Sequence, residues 1–531
     1  MTNRKSTKRA LLGSIMAMVL CLAMLVGATF AWFTDTASTG VNKIQAGKLD
    51  VALEMKDGDS WVSAEGKTLD FVKAAGAENE AILWEPGCTY TLPELRVVNN
   101  GNLALKYKIQ ITGIQGDAKL NEVINWTIND AAIDLTEGHL TAGQQGDAFT
   151  IKGHMQESAG NDYQNLTIDG IGITVYATQD AVEYDSINNT YDANAEYPAM
   201  PYVTSHEALN TSLTLADIPA NEATGKHDPV EVALGNTEAG DIAYSEHNSG
   251  YTGKGVMLGS TKLNSYAAAP AKAGEYTFVF KNGTINSAAT GYSSIDNLKD
   301  TSVYMLVPGN SDVVFENMTF NGVVSFDIQM YTSPWSYLHS ITFKNCTFNG
   351  IVVGSCPAEK ATFDGCTFNN YTNTTYANNS NPIWWRAGTG YWGTGADESV
   401  HSLKEFTFVN NTVTSTRPVK IERIGWNCTA GITILDNTFD ISKQAGDSAT
   451  KNMAINIGQR DNTSKFILTD DGNTISAGTA SLYTAALGSG SNQYVAVSGS
   501  KVLDRNGNDK VITAMVWKTT TGETFEMKTI D

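Results

Sequence analysis

The chain is short of basic charge. Against 56 acidic residues it carries 36 lysines and arginines, a net charge of −20. Such a surface repels nucleic acid and anionic lipid, so no nucleic-acid partner is expected. Apolar stripes at helical spacing are nearly absent, which excludes a helix bundle and leaves an all-β class. There is no His-Glu-x-x-His motif, the helix-borne pair on which a zinc peptidase is built. His206-Glu207 is followed by Asn210 where the second histidine would stand, and His139 and His154 are isolated in strand or loop surroundings. No metal ligand set and no cofactor is expected. Beyond residue 31 no second run is long and apolar enough to span a membrane, and no cell-wall sorting motif occurs.

The N-terminus supplies what the rest lacks. Arg4, Lys5, Lys8 and Arg9 precede an uncharged, mostly apolar run from Ala10 to Ala31. Thr29 and Ala31 are small and stand at the −3 and −1 places before Trp32. Basic, apolar, small, in that order, predicts a secretory signal over residues 1–31, removed by a signal peptidase. The run reaches the roughly 20 residues of a membrane span, so an uncleaved anchor is the alternative. Cleavage would remove four basic residues and no acidic one. The expected product is secreted and extracellular, with no stable membrane span.

At 531 residues the chain is too long for one core. Residues 32–195 form the first expected domain. "KIQAGKLDVALEM" alternates at Leu49, Val51 and Leu53, as a half-buried strand does. In "LWEPGCTYTLPELRVVNNGNLALKYKIQIT", Pro86-Gly87 marks one turn and Asn99-Asn100-Gly101-Asn102 another, expected to join two strands as a hairpin. "VINWTIND", "AFTIKGHM" and "GIGITVYATQ" follow as short alternating strands. This spacing predicts a β-sandwich or jelly roll.

These segments, with "ATFAWFTD", "HMQESAGNDYQN" and "ITVYATQDAVEYD", resemble the TasA/camelysin family over residues 1 to about 195. The resemblance implies export from a Gram-positive bacterium through a SipW-type signal peptidase, and a jelly-roll domain. In fibre-forming members the N-terminal segment freed by cleavage adds as a strand to the next subunit. Here that segment is "WFTDTASTGVN", beginning Trp32, Phe33, Thr34 and Asp35. Its aromatic and β-branched residues suit strand addition, and folding back or disorder is the plainer alternative. The camelysin name carries metallopeptidase activity, against which the missing zinc motif stands.

Residues 196–254, with Pro198, Pro201, Pro219 and Pro229, are expected to be a linker and the lead-in to a second domain. That domain, residues 255–490, is repetitive. "YTFVFKNGTINS", "VVFENMTFNG", "ITFKNCTFNG", "ATFDGCTFNN", "FTFVNNTVTS", "ITILDNTFDI" and the looser "FILTDDGNTIS" share one pattern, marked by Thr284, Thr319, Thr347, Thr367, Thr412, Thr438 and Thr474. Irregular spacing of one short strand pair predicts a solenoid with loops of variable length, a parallel β-helix. It resembles the right-handed β-helix superfamily of pectate-lyase type. Rungs about 4.8 Å apart would stack Phe315, Phe343, Phe363 and Phe408 inward and place Asn317, Asn345, Asn410 and Asn437 in ladders at the turn. Residues 491–531 read as a C-terminal β cap, with a hairpin turn at Asn506-Gly507.

Chemistry-bearing residues are sparse. Glu316, Asp327, Asp364, Asp436 and Asp440 form no tight acidic motif, so no catalytic residue is assigned. "RPVKIERIGWN" holds Arg417, Lys420, Glu422 and Arg423, which could grip an acidic sugar or simply decorate a solvated strand. "NPIWWRAGTGYWGTGADESVH" gathers Trp384, Trp385, Arg386, Tyr391 and Trp392, and Trp335 lies in an earlier loop. Flat aromatics beside an arginine suit a glycan, and a hydrophobic plug is the alternative. Of the cysteines, Cys346 and Cys366 share one place in consecutive repeats; Cys88, Cys356 and Cys428 do not. The pair could cross-link or stay as stacked thiols. The expectation is a secreted cell-surface or biofilm-matrix structural protein that self-assembles into fibres through its first domain and displays a glycan-binding β-helix. An extracellular polysaccharide lyase or hydrolase and a monomeric adhesin are the alternatives.

Overall fold

The computed structural model describes most of residues 48–527. Outside it lie residues 1–47, 74–81, 134–136, 182–194, 222–224, 243–252, 265–270, 294–301, 329–336, 355–357, 387–402, 425–428, 443–452, 460–464, 488–500, 510–514, 519–523 and 528–531, with a few single positions and shorter gaps. The protein is nearly all β, with antiparallel sheets first and long parallel sheets after them.

In the N-terminal part three antiparallel sheets enclose one core. Val51–Asp57 lies between Ser60–Ser63 and Leu95–Asn99. Leu105–Gly116 lies between Ile168–Gln179 and Glu137–Leu140. Thr89–Thr91, Ile151–Met155, Ile124–Ile128 and Ala131–Ala132 make the third. Alternation turns Leu95, Val97, Leu105 and Ile151 fully inward. The Asn99–Asn102 turn does not close a hairpin. Leu95–Asn99 and Leu105–Gly116 belong to different sheets, and the turn is the corner between them. The buried Asn99 amide holds that corner by donating to the carbonyls of Leu103 at 2.7 Å and Thr141 at 3.1 Å. A Cβ on Gly101 would stand 2.2 Å from the Lys48 carbonyl, so only glycine passes there.

The second part is a parallel β-helix. One face is a ten-stranded parallel sheet, running from Tyr202–Ser205 through Val230–Ala233, Thr277–Lys281, Asp312–Glu316, Leu338–Lys344, Ala358–Asp364, Glu405–Val409, Thr429–Leu435 and Lys465–Asp471 to Lys501–Leu503. The marker threonines open the strands of a second face and stand in register from Thr284 to Thr474. A third face contains Ser302–Leu306, Ile383–Arg386, Val419–Ile424, Met453–Gln459 and Ser481–Leu487. Thr319–Ile328 and Thr347–Gly354 run through the corner between the second and third faces, where Gly322 lies over Gly350. A Cβ on Gly350 would stand 1.6 Å from the Gly322 carbonyl oxygen.

The corner between first and second faces needs a left-handed residue. It is Asn282, Asn317, Asn345, Asn410 or Asp436, with φ between 52° and 58°, and Gly365 or Gly472 in the other rungs. These are the residue types that tolerate this conformation. The next position is buried from Met318, Cys346 and Cys366 to Asn411 and Asn437, and half-buried at Asn473. Asn437 therefore belongs to an inner ladder, one place beyond Asn317, Asn345 and Asn410. Asn411 donates to Asn437 at 3.0 Å and Asn437 to Asn473 at 2.8 Å. A further ladder on the outer surface, Asn369 to Asn349 to Asn321 to Asn286, has donor–acceptor distances of 2.6, 3.0 and 2.7 Å.

The expected phenylalanine stack is present. Phe315 and Phe343 lie 5.3 Å apart, Phe343 and Phe363 4.7 Å, and Phe363 and Phe408 5.9 Å, all fully buried. Phe320, Phe348 and Phe368 form a second column at 4.9 and 4.7 Å. The helix His206–Thr211, N-capped by Ser205, and the turn after it bring Leu209, Leu213 and Ile218 into the same core beside Val230 and Val232.

The parallel stack is longer than residues 255–490. Its first strands, Tyr202–Ser205 and Val230–Ala233, lie in the segment expected as linker and lead-in, and Lys501–Leu503 lies in the expected cap. Val203 and Ala233 also pack against the N-terminal core. Single four-residue strands among prolines carry too little alternation to declare themselves.

Two substitutions test this architecture by thermal or denaturant unfolding. Phe343→Ala is expected to cost about 3–5 kcal/mol, the range for a large buried aromatic. Asn437→Ala is expected to cost about 1–3 kcal/mol for each buried group it leaves unpaired, starting with the Phe408 carbonyl that Asn437 satisfies at 2.8 Å.

Candidate functional site

Two places on the molecule have the character of a site. The first is a groove of about 610 Å³ in the N-terminal part. Its floor is apolar: Leu69, Phe71, Leu92 and Trp126 line it, with Leu53 on one wall and Ile173 and Val175 on the other. Phe71 lies 5.7 Å from Trp84 and 6.4 Å from Trp126, so an aromatic cluster braces the floor. The wall at 172–175 is formed by four consecutive residues. A sheet face would present every second residue; four in a row means that the groove runs along a strand edge. That strand, Ile168–Gln179, pairs among the described strands only with Leu105–Gly116. Apolar floor and open edge are what an added strand requires. "GIGITVYATQ" is legible as a strand, but its place at the edge comes from topology alone.

The second is the outer side of the third face. Trp384 pairs with Lys420, and Arg386 with Glu422, on adjacent strands. The tryptophan motif and the basic motif, about 35 residues apart in sequence, are thus brought together (roughly one rung, with its loops). The Lys420 ammonium stands 3.7 Å from the Trp384 ring centroid, a cation–π contact. Half-buried Trp384 and Tyr371 pack against a small outer cluster of Tyr292, Val323, Ile351 and Val353. Asn373, which is 1% exposed, ties this cluster together by exchanging hydrogen bonds with the Tyr292 backbone at 2.8 and 3.0 Å.

Trp385 is a correction. Strand alternation turns it into the bore, 2% exposed and edge-on to Phe363 at 5.7 Å, so it is core and not a ligand contact. Arg417 is also internal. It is 2% exposed and donates to the Thr416 carbonyl at 2.8 Å and to Asn378 at 3.1 Å, locking the neighbouring loop instead of facing a sugar. Trp335, Tyr391 and Trp392 lie outside the described residues, as do Thr29, Ala31, Trp32, Phe33, Thr34, Asp35, Cys356 and Cys428. The repeat acids serve the fold: Asp364 accepts from Asn410 at 3.0 Å, Asp440 from Ser476 at 2.6 Å, and Asp436 pairs with Arg505 at 2.8 Å.

The histidines do not converge. His139 Nδ1 meets Asp180 at 2.6 Å and its Nε2 faces Glu137 at 3.6 Å, so the two carboxylates sit at opposite ring nitrogens. Glu137 also accepts from Tyr197 at 2.8 Å; burial, and then this bond, push the Tyr197 hydroxyl up. His154 meets Thr89 at 2.8 Å, and His206 and His227 contact the carbonyls of Met257 and Ile218. Among the described residues no group of three or more His, Cys, Asp or Glu could hold a metal ion. This donor set does not fit a peptidase zinc centre.

Among the described residues no helix is long and apolar enough to cross a membrane. No curated protein and no solved structure matches the chain. Residues 6–58 match the family model described as camelysin metallo-endopeptidase, a match confined to the N-terminal basic and apolar stretch, the segment after it and the first strand. It supports the TasA/camelysin-like reading of the N-terminal part and points to an extracellular or cell-surface protein.

Proposed function

We propose that this chain is an exported structural protein of the cell surface or extracellular matrix, assembled by strand exchange between copies. In this reading a signal peptidase releases Trp32, and residues 32–42 of one copy enter the groove beside Ile168–Gln179 of the next. The observation that carries it is a groove with an aromatic and aliphatic floor beside Gly172–Val175, on a strand edge that is unpaired among the described strands. Backbone hydrogen bonds would supply affinity there, and Trp32 and Phe33 would fill the floor. The β-helix is then a stiff appendage carried along the assembly.

A second role is favoured by the register of Trp384 with Lys420: glycan retention on the outer side of the third face. An indole plane beside a cation is suited to a sugar ring carrying a carboxylate.

Negative-stain microscopy of the chain beginning at Trp32 is expected to show fibres whose number rises with concentration. The same chain lacking residues 32–42 should give single particles. Fibres of equal length and number from the shortened chain would overturn strand exchange. For the glycan role, Trp384→Ala should weaken retention on an acidic polysaccharide column about tenfold, in the manner of an aromatic hot spot, while lowering the melting curve only by its lost contacts with the outer cluster. Trp385→Ala should instead lower stability by about 3–5 kcal/mol. Undiminished retention by Trp384→Ala would remove that role.

A further inference from the structure

We infer that Cys346 and Cys366 form a cystine that staples two consecutive rungs of the β-helix when the chain folds in the presence of a small-molecule disulfide. The two residues occupy the same corner position. Lys344 pairs with Asp364 on one side of them and Thr347 with Thr367 on the other, so they lie on adjacent, in-register strands. That spacing is about 4.8 Å, within the roughly 4.4–6.8 Å between α-carbons that a cystine spans. Both are free thiols on buried side chains, each 1% exposed.

The local hydrogen bonding accommodates the change. At this corner position the cysteine and asparagine side chains donate to a carbonyl of a neighbouring rung: Cys346 to Phe315 at 3.3 Å, Cys366 to Phe343 at 3.4 Å, Asn411 to Phe363 at 3.0 Å and Asn437 to Phe408 at 2.8 Å. Asparagine is a strong donor and a thiol a weak one, so oxidation gives up little. The chemistry is thiol–disulfide exchange. One cysteine thiolate attacks a sulfur of RSSR and releases RS⁻. The second thiolate then displaces RS⁻ from the mixed disulfide. Two thiols lose two protons and two electrons, and one RSSR becomes two RSH. Burial places the exchange during folding, before the rungs close over the pair. An oxidising setting rests on the export reading; the experiment supplies its own oxidant and so tests the pair independently of that reading.

The full chain is unfolded in guanidinium with reductant, refolded in an oxidised/reduced glutathione buffer, unfolded again without reductant and alkylated. Proteolysis at Lys344, Lys360 and Arg386 places Cys346 on one peptide with Cys356 and Cys366 on the next. The expected result is a linked peptide pair, two hydrogens lighter than the sum of its parts. Fragmentation should assign the link to Cys346, with Cys356 alkylated. Reduction should then lower the unfolding midpoint. Alkylation of both Cys346 and Cys366, or a link through Cys356, overturns the inference. Cys346→Ser supplies the control, in which Cys366 should be alkylated; if that variant does not refold, the wild-type peptide map decides alone.

Discussion

Each rung of the β-helix hydrogen-bonds to the rung before it and the rung after it, and the register between them is kept along the first and second faces, with one shift on the third, between Glu422 and Ile424. Thr319 lies over Thr284, Thr347 over Thr319 and Phe343 over Phe315 whatever the length of loop between them. One position in the chain is therefore one column in space, and each column must suit a residue stacked on its own kind about 4.8 Å away. Phenylalanine rings meet that condition by lying nearly parallel, as Phe348 and Phe368 do at an interplanar angle of 2°. Asparagine meets it because its amide both donates and accepts, so a column of amides satisfies itself except at its ends. A charged column fails the condition unless signs alternate. On the first face they do: Lys281, Glu316, Lys344 and Asp364 follow one another, the first three linked at 3.6 and 3.6 Å.

This constraint explains which features were legible in the sequence. A column writes the same residue into every repeat, so the phenylalanine stack and the threonine register can be read from the chain before any coordinates. The asparagine columns were only half legible. Asn410 and Asn411 are neighbours in "VNNT", yet one takes the left-handed turn and the other points inward. Adjacent identical letters conceal that difference. The outer Asn286–Asn369 ladder was missed, although the recurring Phe-Asn after the marker threonine carries its signal. Trp384 and Trp385 were read as one aromatic cluster, but period-two alternation sends neighbours to opposite sides of a sheet. Arg417 was misread for a related reason: a charge in a strand-like run suggests solvent, and the loop that buries it is distant in sequence.

The N-terminal part lacks such repetition, and its strands could be located but not arranged. A turn of the Asn99–Asn102 kind is compatible both with a hairpin and with a corner between sheets. The decision rests with Asn99, whose amide donates to carbonyls at positions 103 and 141, and the second of these partners is not visible locally. The same limit hides the groove. Leu69, Leu92 and Trp126 are ordinary apolar residues of three separate segments until topology places them under one strand edge.

The two parts answer the exposed-edge problem differently. Among its described strands the β-helix has each inner strand covered by the next rung, and its first end is met by the helix His206–Thr211 with Leu209 and Leu213. Among the described strands the outer edge of Ile168–Gln179 is unpaired, and the groove beside it includes apolar surface that water meets at a cost of roughly 25 cal/mol per Å². Among the described residues, the stacked strands of one part and the unpaired outer edge of Ile168–Gln179 in the other are therefore two different kinds of surface. Association through that edge adds backbone hydrogen bonds and apolar burial together, whereas contact through the Thr and Asn columns of the β-helix would have to displace water from polar groups already well solvated. The two surfaces therefore differ in what contact would gain: an unpaired strand edge offers hydrogen bonds and apolar burial together, and the polar columns of the β-helix offer neither.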